Sequence, residues 1–352
     1  MNPLQSGRQP LRVLIVDDSV FNRRSLAEIF SANPAIEVVG KAADGEEALR
    51  LVNALRPDAI TLDLEMPRMD GFTFLRILMS KLPTPVVVVS SYSQKDNVFK
   101  ALELGAFDFV AKPDRLGDPD LAGIARELMQ KVLLAGSVRL SPPKVAALPL
   151  ESVRGKPELG PVTSPHHVVA IASSTGGPSA LIEIFSRLPK NYPHGVVIAQ
   201  HMPDKFTRTF AERLDRRSEL AVSEAQDRDV VGAGTGFVCP GRHCMDLETD
   251  VRGVLRLRVG QPTEQDRYIP SADRLLTSVA RVAGPRAVGV ILTGMGDDGV
   301  LGAQAILSGG GTVIVESELT AVVYGMPGSA VRAGAVTHVL PLPEIAGFLA
   351  RL

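Results

Sequence analysis

Short β-branched runs alternate with stretches of helical periodicity along residues 11 to about 135, and no other feature restricts the fold as strongly. The runs RVLIVDD, IEVVGKA, DAITLDL, PVVVVSS and FDFVAKP have strand length, while GEEALRLVNAL and DGFTFLRILMSKL between them carry apolar residues at helical spacing. Five such units predict an α/β fold, a (βα)5 domain with a parallel, doubly wound sheet and helices on both faces. Sheets of this kind place their sites at the C-terminal ends of the strands.

Charged and hydroxyl residues collect at that edge. Asp17 and Asp18 close the first run, Asp63 the third and Ser90 the fourth, and Lys112 follows the fifth. Aspartates before helices often serve as caps, and a Lys-Pro pair is often a solvated turn. Five such residues at matching strand ends point elsewhere. Carboxylates crowded on one rim repel each other unless a hard divalent cation joins them, and oxygen ligands beside a lysine suit Mg2+ and a phosphoryl group. The segment resembles the receiver domain of bacterial response regulators in these residues and in Phe109. The resemblance implies phosphorylation of Asp63 by a histidine kinase or small phosphodonor, with Ser90, Phe109 and Lys112 as switch residues. It implies Mg2+ held by Asp18, Asp63 and the Glu65 carbonyl, with Asp17 completing the acidic set.

At 352 residues the chain has room for about two domains. Residues 136–165 are rich in Pro, Ser, Gly and Lys without a sustained apolar period, and are read as a linker between a domain at 1–135 and another at 166–352. Net charge is −1, so charge gives no case for nucleic acid or a membrane surface. No helix-turn-helix with a basic face is evident. The N-terminal stretch lacks a signal-peptide pattern, and no run reaches the roughly 18 apolar residues of a membrane span; a cytoplasmic chain without membrane insertion is the expectation. Cys239 and Cys244 provide neither a disulfide framework nor a four-ligand zinc pattern.

The second domain resumes the alternation with HHVVAIAS, GVVIAQH, RAVGVILTG and GTVIVES, again predicting a doubly wound α/β sheet. The stretch from Thr235 to Pro262 has turn residues between short alternating runs and predicts antiparallel strands or a hairpin. Its first junction, AIASSTGGPSALIEIF, sets Ser173, Ser174 and Thr175 between a strand and a helix. Hydroxyls there could be caps or part of an anion nest. A nucleophilic hydroxyl would require a base and an acid to orient it. Among the six histidines His201 ends a strand on the same rim, with His243 its main rival; His166, His167, His194 and His338 lie elsewhere. Asp297 and Asp298 end a further strand among glycines, where exposed backbone N–H groups could form an oxyanion hole. The order Ser, His, Asp differs from that of the α/β-hydrolases.

The motifs SSTGGP, AQHMP, CPGRHCM, IPSADRL, LTGMGDDG and YGMPGSA resemble, in order, those of the chemotaxis protein-glutamate methylesterases, which join a receiver to a catalytic domain through a linker. The resemblance implies Ser174 as nucleophile, His201 as base, Asp298 rather than Asp297 as orienting acid, and the Met295 backbone at the oxyanion site. Ser173 departs from the small residue, such as alanine, usual before the nucleophile. The implied activity is hydrolysis of glutamate γ-methyl esters on methyl-accepting chemotaxis receptors, with deamidation of receptor glutamines and a chemotaxis histidine kinase as phosphodonor. Phosphorylation of Asp63 would relieve blocking of the esterase cleft by the receiver, and no cofactor serves the esterase site. Two other readings remain open from sequence: a receiver-controlled receptor-binding module without catalysis, and the same esterase chemistry in another pathway.

Overall fold

A computed structural model describes residues 9–91, 95–112, 121–138 and 163–352, and the chain divides into two compact units, Met1–Ala146 and Ala147–Leu352. In the first unit β1 (Leu11–Val16), α1 (Val20–Ser31), β2 (Ile36–Ala42), α2 (Gly45–Leu55), β3 (Ala59–Leu62), α3 (Gly71–Lys81), β4 (Val86–Ser90), α4 (Lys95–Glu103), β5 (Asp108–Ala111) and α5 (Leu121–Ser137) follow in turn. The sheet runs β2-β1-β3-β4-β5, parallel throughout, as the alternation predicts. Val13 to Val16, Ile60, Leu62 and Val86 to Val88 are buried, because a sheet covered on both faces has no solvated side for polar residues. Some aspartates are caps: Asp44 accepts the Glu47 N–H at 2.9 Å and Asp70 the Thr73 N–H at 2.7 Å. Helix α5 runs two residues into the segment read as linker, and 139–162 lie outside the described residues.

The second unit contains β6 (Val168–Ser173), α6 (Gly177–Phe185), β7 (Gly195–Gln200), α7 (Asp204–Arg217), β8 (Ala221–Glu224), β9 (Thr235–Val238), β10 (Cys244–Thr249), β11 (Leu255–Gly260), α8 (Ala272–Ala283), β12 (Ala287–Ile291), α9 (Val300–Ser308), β13 (Thr312–Glu316), α10 (Met326–Arg332), β14 (His338–Leu340) and α11 (Leu342–Leu349). Seven strands pair in parallel in the order β14-β13-β12-β6-β7-β9-β8. The expected antiparallel pair is the β10–β11 hairpin, which packs beside α8 and is joined to it where Ser278 Oγ accepts the Leu247 N–H at 2.8 Å. The preceding run, β9, instead joins the main sheet. Strand order reverses between β6 and β12, so the crevice at their C-terminal ends is where a doubly wound sheet holds a ligand.

At the opposite, N-terminal end of β6 and β7, His194 is buried against Tyr192, His166 and His167, and its Nδ1 accepts the His167 N–H at 3.2 Å. Burial, reinforced by the neighbouring histidines, pushes its pKa down to about 4. The native ring stays neutral where the unfolded ring gains a proton. Stability from this group is therefore full above pH ~6.5 and is lost as pH falls towards 4, reaching about 2 kcal/mol lost at pH 5. Urea midpoints at pH 7 and pH 5 should show that acid loss in the wild type and a markedly smaller one in His194→Gln.

Candidate active site and phosphoacceptor pocket

The register of β6 against β7 pairs Ser173 with Gln200, so Ser174 and His201 are the next residues on adjacent strand ends. His201 N–H donates to the Ser173 carbonyl at 3.0 Å, and Ser174 N–H to the Thr293 carbonyl beyond β12 at 3.0 Å. Chain positions far apart thus meet on one rim.

The two serines face different ways. Ser173 is fully buried and its Oγ donates to Gln200 Oε1 at 2.6 Å, whereas Ser174 is part-exposed. Gln200 Nε2 in turn donates to the carbonyls of Ser174 and His201, both at 2.9 Å, so one buried amide ties the two strand ends together. The hydroxyl that departs from the resembled pattern is therefore structural. Gly176 precedes α6 with φ +79°, and a Cβ there would come within 2.8 Å of the Val322 side chain. Only glycine fits both demands.

His201 Nε2 lies 2.8 Å from Asp298 Oδ2. That engagement leaves Nδ1 as the nitrogen available to the rim. Asp298 is almost wholly buried and also accepts the Ala272 N–H at 2.8 Å and the Asp273 N–H at 2.9 Å, at the start of α8. Ser271 caps the same helix by accepting the Arg274 N–H at 3.2 Å. Two helix N–H donors thus fix both carboxylate oxygens in place, which suits a group that orients an imidazole. Asp297, one residue away, is half-exposed and bound instead by Tyr268 Oη at 2.8 Å and Arg267 Nη1 at 3.1 Å. The pair is thus separated by environment.

The His243 ring meets Gln261 at 3.2 Å on the surface, and the contact with Asp298 belongs to His201. Met295 is exposed beside Gly294, whose missing side chain leaves room for Ser174: a Cβ there would be 2.7 Å from Ser174 Cβ. Among the described residues no acceptor engages the Met295 N–H. Sequence reasoning missed Gln200, Thr293, Glu316 and Tyr268. Thr293 Oγ1 donates to the Thr175 carbonyl at 2.9 Å and accepts the Val323 N–H at 2.9 Å, while its own N–H goes to buried Glu316 Oε2 at 2.8 Å. Burial raises the Glu316 pKa. Tyr268 stacks on His201 with ring centroids 5.3 Å apart and planes 6° apart. Gln200 and Thr293 lie inside the AQHMP and LTGMGDDG motifs, whereas Glu316 and Tyr268 fall outside every quoted motif.

In the first unit, carboxylate oxygens of Asp17, Asp18 and Asp63 lie within 4.8 Å of one another. Lys112 Nζ approaches Asp17 at 2.9 Å and Asp63 at 2.5 Å. Burial raises the Asp63 pKa despite the lysine; for Lys112, burial opposes the charge but the Asp63 and Asp17 carboxylates outweigh it and its pKa rises. Three hard oxygen donors of this kind fit Mg2+. Asn22 Nδ2 donates to both Asp17 oxygens at 3.2 Å, and Glu65 contributes its backbone N–H to Asp63 Oδ1 at 3.4 Å. Ser90 is buried at the end of β4, its carbonyl accepting the Lys112 N–H at 2.7 Å. Phe109 is buried edge-on against Phe99, 6.2 Å between centroids.

Residues 169–349 match the family described as CheB methylesterase, and residues 13–118 the response regulator receiver domain. The chain belongs to the CheB methylesterase family. It is 46% identical over 352 residues to a Myxococcus xanthus protein named protein-glutamate methylesterase/protein-glutamine glutaminase 1, covering 99% of this chain and 98% of that one. A Pyrococcus abyssi protein named protein-glutamate methylesterase/protein-glutamine glutaminase is 40% identical, covering 97% and 92%. The crystal structure of the Thermotoga maritima CheB methylesterase catalytic domain matches with a TM-score of 0.51 at 39% identity, over 53% of this chain and 97% of that one.

The environments of the two aspartates make unequal demands on the fold. Asp298→Ala strands two helix N–H groups and should cost about 1–3 kcal/mol, whereas Asp297→Ala, at an exposed position, should stay within about 0.5 kcal/mol. Denaturant midpoints of the two variants check the difference.

Proposed function

We propose that the chain is a phosphorylation-activated serine hydrolase that demethylates glutamate γ-methyl esters on chemoreceptors, releasing methanol, and deamidates receptor glutamines. The observation that carries this reading is the 2.8 Å His201–Asp298 contact beside Ser174, on a rim where the family's motifs coincide. The names of the Myxococcus and Pyrococcus relatives support the same two activities.

Ser174 Oγ adds to the ester carbonyl as His201 Nδ1 takes its proton, with Asp298 steadying the imidazolium. The Met295 N–H donates to the tetrahedral oxyanion, an interaction of the kind worth about 10²–10³ in rate. Collapse breaks the C–O bond, and the His201 proton leaves with the methoxy group as methanol. Water activated by the neutral His201 then frees the glutamate and Ser174. A glutamine side chain follows the same path with ammonia leaving.

Asp63 is the phosphoacceptor in this reading, the phosphoryl group coming from a chemotaxis histidine kinase. Asp17, Asp18 and Asp63 would hold Mg2+, joined by the Glu65 carbonyl; bound there, it would neutralise the carboxylates and polarise the phosphoryl oxygens. Lys112 pairs with the same oxygens, and Ser90 and Phe109 relay the change. Among the described residues no helix is long and apolar enough to cross a membrane, and the two cysteines are free and buried; a cytoplasmic location fits both.

Methanol release from methyl-labelled receptor membranes tests the proposal. The wild type should release methanol faster with Mg2+ and a small phosphodonor, Ser174→Ala should release none above background, and Asp63→Asn should keep its basal rate without stimulation. A folded, phosphate-accepting wild type that releases nothing from receptors of several pathways would refute the proposal.

A further inference from the structure

Two constraints act on the His201 ring from different sides. The Asp298 contact fixes one ring atom, Nε2, but leaves the ring free to turn about that contact. The Tyr268 stack, with planes 6° apart, fixes the plane. Together they leave a single direction for Nδ1.

Tyr268 is itself tied to the loop that carries the candidate oxyanion donor. Its hydroxyl donates to Asp297 Oδ1 at 2.8 Å, and Arg267 pairs with the same carboxylate at 3.1 Å while lying 5.3 Å from the Tyr268 ring centre. Gly296 lies directly beneath: its φ is +95°, and a Cβ there would come within 2.6 Å of Tyr268 Oη. Met295 is the residue before it. One aromatic side chain thus spans from the base to the 294–298 loop.

We infer that Tyr268 is a positioning residue for the hydrolase reaction, its ring holding the His201 imidazole in plane and its hydroxyl tying that plane to the Met295–Asp298 loop. The inference rests on the proposed role of His201 as base. An aromatic face also stabilises a cation stacked on it, so the Tyr268 ring favours the imidazolium formed when Ser174 gives up its proton. Titratable groups against the ring are Asp298 and Tyr268; Asp297 and Arg267 form an ion pair behind Tyr268, and Asp204, three residues further along the chain, pairs with Arg242 at 3.3 Å. Burial, aided by the Asp297 bond, raises the Tyr268 pKa, so the phenol stays neutral.

The test is the NMR ring-proton shifts of His201 in the full chain, in the wild type, Tyr268→Leu and Tyr268→Phe. Leucine keeps an apolar cover on the ring and removes the aromatic face, so the ring-current displacement of the His201 signals should be lost. Phenylalanine keeps the face and should restore it. In parallel, ester hydrolysis should show kcat reduced about tenfold or more in Tyr268→Leu with KM within about threefold, because a displaced base harms the chemical step more than binding. Unchanged His201 ring signals in a folded Tyr268→Leu, or a loss confined to KM, would overturn the inference. A wild type that shows the ring-current displacement but hydrolyses no receptor ester would count against the proposed function and leave the stacking result standing.

Discussion

The parallel register of β6 with β7 on one side and β12 on the other governs the geometry of the second unit. Strand spacing in a sheet is about 4.8 Å, so residues one step past paired positions are neighbours without any need for loop design. Ser174 and His201 inherit their proximity from the Ser173–Gln200 pairing, and Thr293 reaches Ser174 through the Ala172–Ile291 pairing. Hydrogen bonds then lock the strand ends. Gln200 spans β6 and β7, while Thr293 ties the end of β12 to Thr175 and Val323. The Gln200 and Thr293 side chains are buried, where an unmet polar group costs more than a made bond returns, so the rim favours one arrangement.

Helix α8 performs the second task. It presents two unpaired N–H groups to Asp298, which satisfies the helix end and fixes the acid in the same contact. The helix is secured in turn by Arg274, which binds Asp246 on β10 at 2.6 Å and Asp266 at 3.1 Å. The antiparallel hairpin, which carries no catalytic side chain, thereby acts on the site through the helix it holds. The loop between β11 and α8 brings Tyr268 over the His201 ring from that side.

The alternation of strands and helices was legible because burial on both faces of a parallel sheet forces continuous apolar runs. That Ser174, His201 and the Asp297–Asp298 pair fall at strand ends was legible because strand ends and glycine turns are local signals. The hairpin was visible as turn residues between short runs, but β9 read as part of it, since a four-residue strand has no feature that tells parallel from antiparallel pairing. Gln200, Thr293 and Tyr268 were not legible. Their importance depends on partners 26 to 118 positions away, such as Ser174 for Gln200, His201 for Tyr268 and Thr175 for Thr293, and no spacing rule encodes such distances. Asp297 and Asp298 were equivalent by chemistry and were separated only by resemblance; the structure gives the physical reason, a helix N-terminus for one and an exposed tyrosine and arginine for the other.

The same rim serves opposite physical ends in the two units. Beside Ser174 the buried Ser173, Gln200 and Thr293 side chains are paired, so the hydroxyl stands in a rigid frame, which is what an attack geometry requires. Around Asp63 the polar groups are left in conflict: the Asp17, Asp18 and Asp63 carboxylates crowd together, with Lys112 paired to Asp17 and Asp63. Burial raises the Asp63 pKa, so its carboxylate is held in a less comfortable state than on the surface. A divalent cation relieves that conflict, and a phosphoryl group on Asp63 alters it again by adding charge and acceptor oxygens within reach of Lys112. A pocket with unresolved charge responds strongly to such changes; a fully satisfied one does not. Sensitivity to a signal belongs where electrostatics are unbalanced, and the unit carrying the rigid serine frame has no comparable acidic cluster among the described residues.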